Sequence, residues 1–292
     1  MIEWLTEPFS VHFMQQALVG GLLAALTTSL IGTWVVIRGM AFMGDALAHG
    51  VLPGIALAFV LGVDLTLGAV LGALVMIAGV AAIHRQTGLR EDTRIGLLFV
   101  GMLALGVIIV SRLPSFTTSL TTFLFGDILG IRPSDLLLEA LAAVGTVGGV
   151  LLFYRPFLVL AFNESKAQVL CLHPRLAHVA MLVLLAVAIV ASFRAVGTLL
   201  VFGLLISPPA TAALLARSVP AMMLTAALLG CLSVVAGLVI GWHLGTAAGA
   251  TIAAVSVAVF FAVLWGLDLR AHLVRARQRS FAPDAGVPAG ES

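Results

Sequence analysis

The chain has 292 residues, of which 61% are hydrophobic and 10% charged; its net charge is +2 and its mean hydropathy +1.19. Soluble domains carry about 25% charged residues, so this composition excludes an ordinary soluble protein and indicates an integral membrane protein. The basic residues are scattered between apolar segments and form no single patch, which gives no indication of nucleic-acid binding.

The N-terminal segment, residues 1–14, contains two glutamates and no lysine or arginine. This is the wrong charge for a signal peptide, so the first apolar stretch is predicted to be retained. A bilayer core about 30 Å thick needs about 20 apolar residues in a helix. Nine spans are predicted on this basis, near residues 15–37, 46–62, 65–83, 95–112, 135–154, 176–192, 196–216, 221–241 and 247–267.

Two of these spans are atypical, so the predicted number is eight or nine. The second is short, and the sixth and seventh are separated only by "SFRAV", so one of these two could be re-entrant or broken. The predicted fold class is an all-α, polytopic membrane helix bundle. The transmembrane domain is expected to cover residues 15–269.

The distribution of basic residues predicts the orientation. If all nine spans cross and the N-terminus is periplasmic, twelve of the fifteen lysines and arginines face the cytoplasm, and Arg112, Arg132 and Arg194 face outward. The C-terminus is then cytoplasmic. Residues 270–292 are first basic and then rich in Pro, Gly and Ala, which predicts an interfacial anchor followed by a disordered tail.

The stretch "RGMAFMGDALAHG" places Asp45 and His49 four residues apart at the start of the second span. A charge in the middle of a spanning helix costs about 2.5–3.5 kcal/mol on insertion scales, so ionisable groups there need a reason. The spacing puts both side chains on one helical face. A carboxylate oxygen beside an imidazole nitrogen suits borderline divalent cations such as Zn²⁺ and Mn²⁺.

A structural interpretation of the pair remains open. Asp45 follows Gly44 and could be the N-cap of the second span, with His49 hydrogen-bonded to a neighbouring helix. The other histidines lie at predicted ends or loops without a ligand partner at helical spacing. They are interpreted as interfacial residues: His12, His84, His173, His178, His243 and His272.

Prolines predict irregular backbone at two places. Pro53 lies four residues beyond His49, and "LLISPPATA" places Pro208 and Pro209 within the seventh span. Proline removes a donor and clashes with the preceding turn, so each helix is expected to kink or unwind there. Such breaks are common along transport pathways, although a kink that serves only packing is the alternative.

The longest predicted inner loop lies between the fifth and sixth spans and contains "NESKAQVLCL". Asn163 is a suitable N-cap, Glu164 is favourable in a first turn, and Pro174 follows the predicted end, so a short helix is expected near residues 163–172. It could dock a cytoplasmic partner or lie on the bilayer.

Enzymatic motifs are absent from the sequence. The single lysine, Lys166, is not in a P-loop, and no H-E-x-x-H, G-x-S-x-G or Rossmann glycine pattern occurs. The chain is therefore not expected to be an enzyme or to hydrolyse ATP by itself.

Several ordered segments together resemble the permease subunits of bacterial ABC importers for zinc, manganese and iron. They are "FMQQALVGGLLAALTTSLIGTWVVIRGMAFMGDALAHGVLPGIALAF", "REDTRIGLLF", "FLFGDILGI", "FRAVGTLLVFGLLISPPATA" and "GATIAAVSVAVFF", covering about residues 13 to 265. The resemblance implies a type II ABC importer-like permease that forms a homodimer. It also implies cytoplasmic ATP-binding cassette subunits and a periplasmic metal-binding protein as partners.

The resemblance assigns roles to particular residues. Asp45 and His49 would line the metal path, and Arg194 and Pro208 would lie in the gate region. The ATPase-coupling helix would be "NESKAQVLCL", in which Asn163 replaces a customary aspartate, Cys171 replaces a glycine and Ala167 fits the pattern. Glu164 belongs to the same helix.

The predicted function is that of the membrane subunit of an ATP-driven importer in the bacterial inner membrane. The ion is cargo, no resident cofactor is expected, and an imidazole ligand favours zinc over manganese or iron. One alternative is a proton-coupled secondary transporter that uses Asp45 and His49 as a relay. Another is a non-transporting subunit that anchors or senses a metal-binding partner.

Overall fold

The computed structural model describes residues 4, 6–86, 91–111, 130–162 and 174–280. Within these ranges, the secondary structure consists of α-helices, preceded by a 3₁₀ turn at Glu7–Ser10, and no strand is present. The helices are α1 (His12–Ile37), α2 (Ala41–Gly50), α3 (Leu52–Leu61), α4 (Leu65–Gln86), α5 (Glu91–Val110), α6 (Pro133–Leu152), α7 (Tyr154–Phe162), α8 (Pro174–Val196), α9 (Thr198–Leu215), α10 (Val219–Leu244) and α11 (Ala248–Ser280).

The described ranges contain nine helical stretches that are long and apolar enough to cross a membrane. These correspond to the nine predicted spans, and the prediction of an all-α membrane bundle is confirmed. The second stretch, Ala41–Leu61, consists of α2 and α3 with a turn at Val51 between them. The predicted irregularity near Pro53 is therefore present.

The first and last helices extend beyond the predicted limits of the transmembrane domain, residues 15–269. The first helix begins at His12, so it includes the last three residues of the predicted N-terminal segment. The last helix continues to Ser280, so residues 270–280 are helical. Arginine, leucine, alanine and glutamine have high helix propensity, which explains this extension. Residues 281–292 lie outside the described part of the chain.

The first span lies at the centre of the bundle. Helix α1 packs against α6, α8, α9 and α10, and the side chain of Trp34 is fully buried. The Trp34 ring lies edge-on to the rings of Tyr154 and Phe157, with centroids 5.5 Å from each. Because α7 carries both partner rings, this aromatic cluster attaches α7 to the end of α1.

Close helix contacts depend on small residues, as is usual between helices in lipid. A β-carbon at Gly230 of α10 would lie 2.7 Å from the Ser29 hydroxyl oxygen of α1, and one at Gly237 would lie 2.5 Å from the Ile252 α-carbon of α11. A larger side chain at either glycine would separate the helices.

Of the two predicted outcomes at Pro208 and Pro209, a kink or unwinding, unwinding is not observed, because α9 continues as a helix from Thr198 to Leu215. Both prolines are buried. The Ser207 hydroxyl donates to the Ser256 carbonyl oxygen of α11 at 2.6 Å. The Leu205 carbonyl oxygen, whose helical donor would be the amide of residue 209, faces Gly32 at a distance that leaves no room for a β-carbon. Tight burial among neighbouring helices therefore keeps the helix intact.

The connection between the sixth and seventh spans also differs from the prediction. The stretch "SFRAV" continues α8 as far as Val196, and the chain turns at Gly197, whose φ is +81°. Glycine adopts this backbone conformation without the steric cost that a side chain imposes. Both spans are continuous helices that are long and apolar enough to cross a membrane.

Candidate functional site

The link between α1 and α2 fixes where the Asp45-containing helix starts. Gly39 has a φ of +67°, and its amide donates to the Val36 carbonyl oxygen at 3.0 Å, while the Met40 amide donates to the Val35 carbonyl oxygen at 2.9 Å. This is the Schellman pattern of a helix end closed by glycine. Helix α2 begins two residues later, at Ala41.

Asp45 is therefore the fifth residue of α2, and the N-cap position is occupied by Met40. The interpretation of Asp45 as an N-cap is wrong. The turn closed by Gly39 lets the new helix begin four residues earlier than the carboxylate. A carboxylate inside the second turn of a helix has no unpaired amide to cap.

Asp45 and His49 lie side by side on one face of α2. The His49 Nε2 atom is 3.4 Å from the Asp45 Oδ1 atom, and the two side chains are 25% and 27% exposed. The opposite face of α2 is buried in the bundle. Its buried residues are Met43, Gly44, Ala46, Leu47, Ala48 and Gly50.

An aromatic pair flanks this face. The Phe99 ring of α5 lies 6.1 Å from the His49 ring and 5.6 Å from the Phe42 ring, centroid to centroid. Phe42 is 39% exposed on the same side of α2 as Asp45. The polar pair is thus partly open and bordered by apolar rings on one side.

The half-span α3 that follows the pair is held against α4 by glycines. A β-carbon on Gly54 of α3 would overlap the Gly68 carbonyl oxygen and lie 2.9 Å from the Gly72 amide nitrogen. A β-carbon on Gly72 would lie 2.9 Å from the α-carbon of Val51, the residue at the turn. The α3 and α4 backbones therefore touch, and this contact fixes the point at which the second span breaks.

The spacing of the two donor atoms suits a cation. Two ligands bound tetrahedrally at about 2.1 Å lie about 3.4 Å apart, and two neighbouring ligands in an octahedron lie about 3.0 Å apart. Oδ1 of Asp45 and Nε2 of His49, at 3.4 Å, are close to either separation. Across the described ranges, no group of three or more His, Cys, Asp or Glu residues could hold a metal. An ion at this pair would need further ligands from beyond the described residues of this chain.

The other predicted site residues are not all brought to the pair. Pro208 is buried in α9, the helix whose Leu205 side chain packs against Gly44 of α2. Arg194 lies in the last turn of α8. The predicted coupling residues lie outside the described residues: Asn163, Glu164, Ala167 and Cys171.

Two ionisable features were missed in the sequence. Glu139 of α6 is fully buried. Its Oε1 accepts a hydrogen bond from the Ser192 hydroxyl at 2.8 Å, and its Oε2 has no hydrogen-bond partner among the described residues. Its position inside the predicted fifth span was the available signal. His272 was interpreted as lacking a partner at helical spacing, but Asp268 lies four residues before it, with Oδ1 and Nε2 3.6 Å apart. That interpretation was wrong.

Relatives of the chain share most of its length. The manganese import system permease protein ScaB of Streptococcus parasanguinis is 36% identical over 86% of this chain and 89% of its own. The chelated iron transport system membrane protein YfeD of Yersinia pestis is 34% identical over 97% and 94%. A solved structure, PsaBC from Streptococcus pneumoniae in complex with Fab, matches with a TM-score of 0.80 and 32% identity, covering 90% of this chain and 95% of the other.

The family model described as the ABC 3 transport family matches residues 10–266. This range contains α2 with Asp45 and His49 and every candidate membrane span except the last residues of the ninth. The resemblance carried by the ordered segments is confirmed, and the chain belongs to the ABC 3 transport family.

Proposed function

We propose that this chain is the membrane permease subunit of an ATP-driven importer that carries a divalent transition metal ion across a bacterial inner membrane. The observation that carries the proposal is the Asp45 and His49 pair, an oxygen and a nitrogen donor 3.4 Å apart on the open face of a broken span. The names of its relatives, which are transport-system membrane proteins for manganese and chelated iron, support the same class of cargo.

Two copies of the chain would supply a fuller ligand set than one. The pair is about one quarter exposed in the single chain, so its donors are accessible from outside the protomer. In a symmetric homodimer, two carboxylates and two imidazoles could surround one ion. A path of this kind must hold the ion weakly, because a site that binds tightly cannot pass the ion on.

The energy source and the ion supply would come from partner proteins. A cytoplasmic ATP-binding cassette subunit would dock on the segment near residues 163–172, which includes the coupling residues named above. A periplasmic metal-binding protein would deliver the ion to the opposite side. The excess of basic residues on one side supports a periplasmic N-terminus and a cytoplasmic C-terminus.

Manganese and iron are the first ions to test. The preference for zinc rested on the imidazole ligand alone, and the relatives reported above are named for manganese and iron. The separation of the two donor atoms does not decide between the ions, because a small side-chain rotation covers the difference between tetrahedral and octahedral spacing. Zinc is therefore the comparison ion.

The test is metal uptake into liposomes that contain the chain with its ATP-binding cassette subunit and metal-binding protein. Asp45→Ala and His49→Ala are each expected to lower the initial uptake rate about tenfold or more, since each removes a direct ligand. His12→Ala is the matched control, and its uptake rate should be unchanged. His12 is an exposed histidine of α1 whose Nε2 atom lies 3.3 Å from the side-chain amide nitrogen of Gln16.

Two results would contradict the proposal. Uptake driven by a proton gradient in liposomes that lack the ATP-binding cassette subunit would support a secondary transporter. Normal uptake by both alanine variants would remove Asp45 and His49 from the ion path.

A further inference from the structure

A second aspartate and histidine pair lies near the end of α11. The His272 Nε2 atom is 3.6 Å from the Asp268 Oδ1 atom, with side-chain exposures of 67% and 71%. Both residues fall within the last six residues of the ninth candidate span, Ala248–Leu273. The pair therefore lies at the end of a membrane helix and is open to solvent.

The second pair repeats the donor geometry of the first. Both pairs have an aspartate four residues before a histidine, and both bring Oδ1 and Nε2 to between 3.4 and 3.6 Å. A tetrahedral ion with ligands at about 2.1 Å needs its donors about 3.4 Å apart. Neither side chain of the second pair has to change rotamer greatly to chelate an ion.

The surroundings of the second pair leave room for water ligands. Residues 264–273 of α11 are all exposed in the single chain, so this part of the helix stands clear of the other described helices. Arg270 is the nearest described cation in sequence. A separation of two residues corresponds to a rotation of about 200° around a helix, so Arg270 lies on nearly the opposite face from Asp268 and His272.

We propose that Asp268 and His272 form a second, weaker binding site for a divalent first-row transition metal ion at the membrane boundary. An ionised aspartate and a neutral histidine supply one negative charge and a nitrogen ligand, and water completes the coordination. The choice of transition metals rests on the proposed function; the geometry of the site does not. With a cytoplasmic C-terminus, the site would lie on the side that receives the imported ion.

The experiment measures protection of histidines from diethyl pyrocarbonate in the full-length chain, without a histidine tag, in detergent or nanodiscs. Peptide mass spectrometry gives the modification rate of each histidine separately. Manganese or zinc chloride should slow modification of His272 several-fold and leave His12 unchanged in the same sample. Magnesium, which prefers oxygen ligands and keeps its waters, should give little protection.

The variant Asp268→Ala should abolish protection of His272. Equal protection of His272 and His12, no protection of His272, or protection that persists in Asp268→Ala would overturn the proposal. Because Asp268 is exposed, the variant should fold. If it does not fold, the comparison of His272 with His12 in the wild-type chain still tests whether the metal protects His272. Modification of His49 in the same samples reports separately on the pair of α2, so either site can fail without the other.

Discussion

A methyl group added at Gly68 should force α3 and α4 apart. The β-carbon of Gly68→Ala would lie 2.5 Å from the Ala58 β-carbon and would overlap the Gly54 carbonyl oxygen. Carbon atoms pack best at about 3.5–4.0 Å, so the two helices must separate by about 1 Å. The atoms in the way are backbone and a β-carbon, which cannot rotate aside. Overpacking of this kind typically costs about 1–3 kcal/mol.

Gly101→Ala on α5 provides the matched control. No atom of the residues that the structure describes lies within 4 Å of the β-carbon that this substitution would add. Both substitutions gain about 0.5–1 kcal/mol from the higher helix propensity of alanine, so the difference between the two variants isolates the clash. Domains of 150–250 residues change their melting temperature by about 2–4 °C per kcal/mol. Gly68→Ala should therefore melt about 2–12 °C below Gly101→Ala.

The assay is thermal unfolding of the purified full-length chain in one detergent, followed by loss of the monodisperse peak in size-exclusion chromatography. The uptake rate of each variant should also be measured, because α3 continues directly from the helix that carries Asp45 and His49. Equal melting temperatures for the two variants would show that α3 and α4 are not in backbone contact. The explanation of the break at Val51 would then be refuted.

Two further substitutions test the buried carboxyl and the turn before α2. Ser192→Ala removes the hydroxyl that donates to Glu139 Oε1 and should destabilise the chain by about 1–3 kcal/mol in thermal or denaturant unfolding. The double variant Ser192→Ala with Glu139→Leu should recover part of this loss. If Ser192→Ala alone leaves the stability unchanged, the burial of Glu139 is contradicted. Gly39→Ala introduces a side chain at a φ of +67°, and no atom of the described part of the chain lies within 4 Å of its β-carbon. Its cost in unfolding free energy, about 1–2 kcal/mol, is therefore conformational, and Gly39→Asn should cost less. If the alanine variant is at least as stable as the asparagine variant, the left-handed turn is refuted.

Hydropathy and helical spacing were enough to predict the spans and the common face of Asp45 and His49. Both properties are local: the length of an apolar run determines a span, and a separation of four residues determines a face. The start of α2 was harder to predict, because Met40 at its N-cap position offers no capping side chain. Helix α2 therefore appeared to start near Asp45 instead of at Ala41.

Contacts between distant parts of the sequence explain the remaining differences. The prolines of α9 were expected to kink or unwind the helix, and the helix does not unwind. The support comes from Gly32 of α1 and Ser256 of α11, which no local pattern could indicate. Glu139 likewise finds its hydroxyl partner 53 residues further along the chain, at Ser192. Its burial follows from how α6 and α8 pack.

The break after α2 also changes the hydrogen bonding of the backbone beside the imidazole. In an uninterrupted helix, the His49 carbonyl oxygen would accept a bond from the amide of residue 53, but that residue is Pro53, which has no amide hydrogen. The Val51 amide is shared between the His49 and Leu47 carbonyl oxygens. A main-chain oxygen without its regular helical donor thus lies beside the imidazole in the same span, where a water molecule can satisfy it.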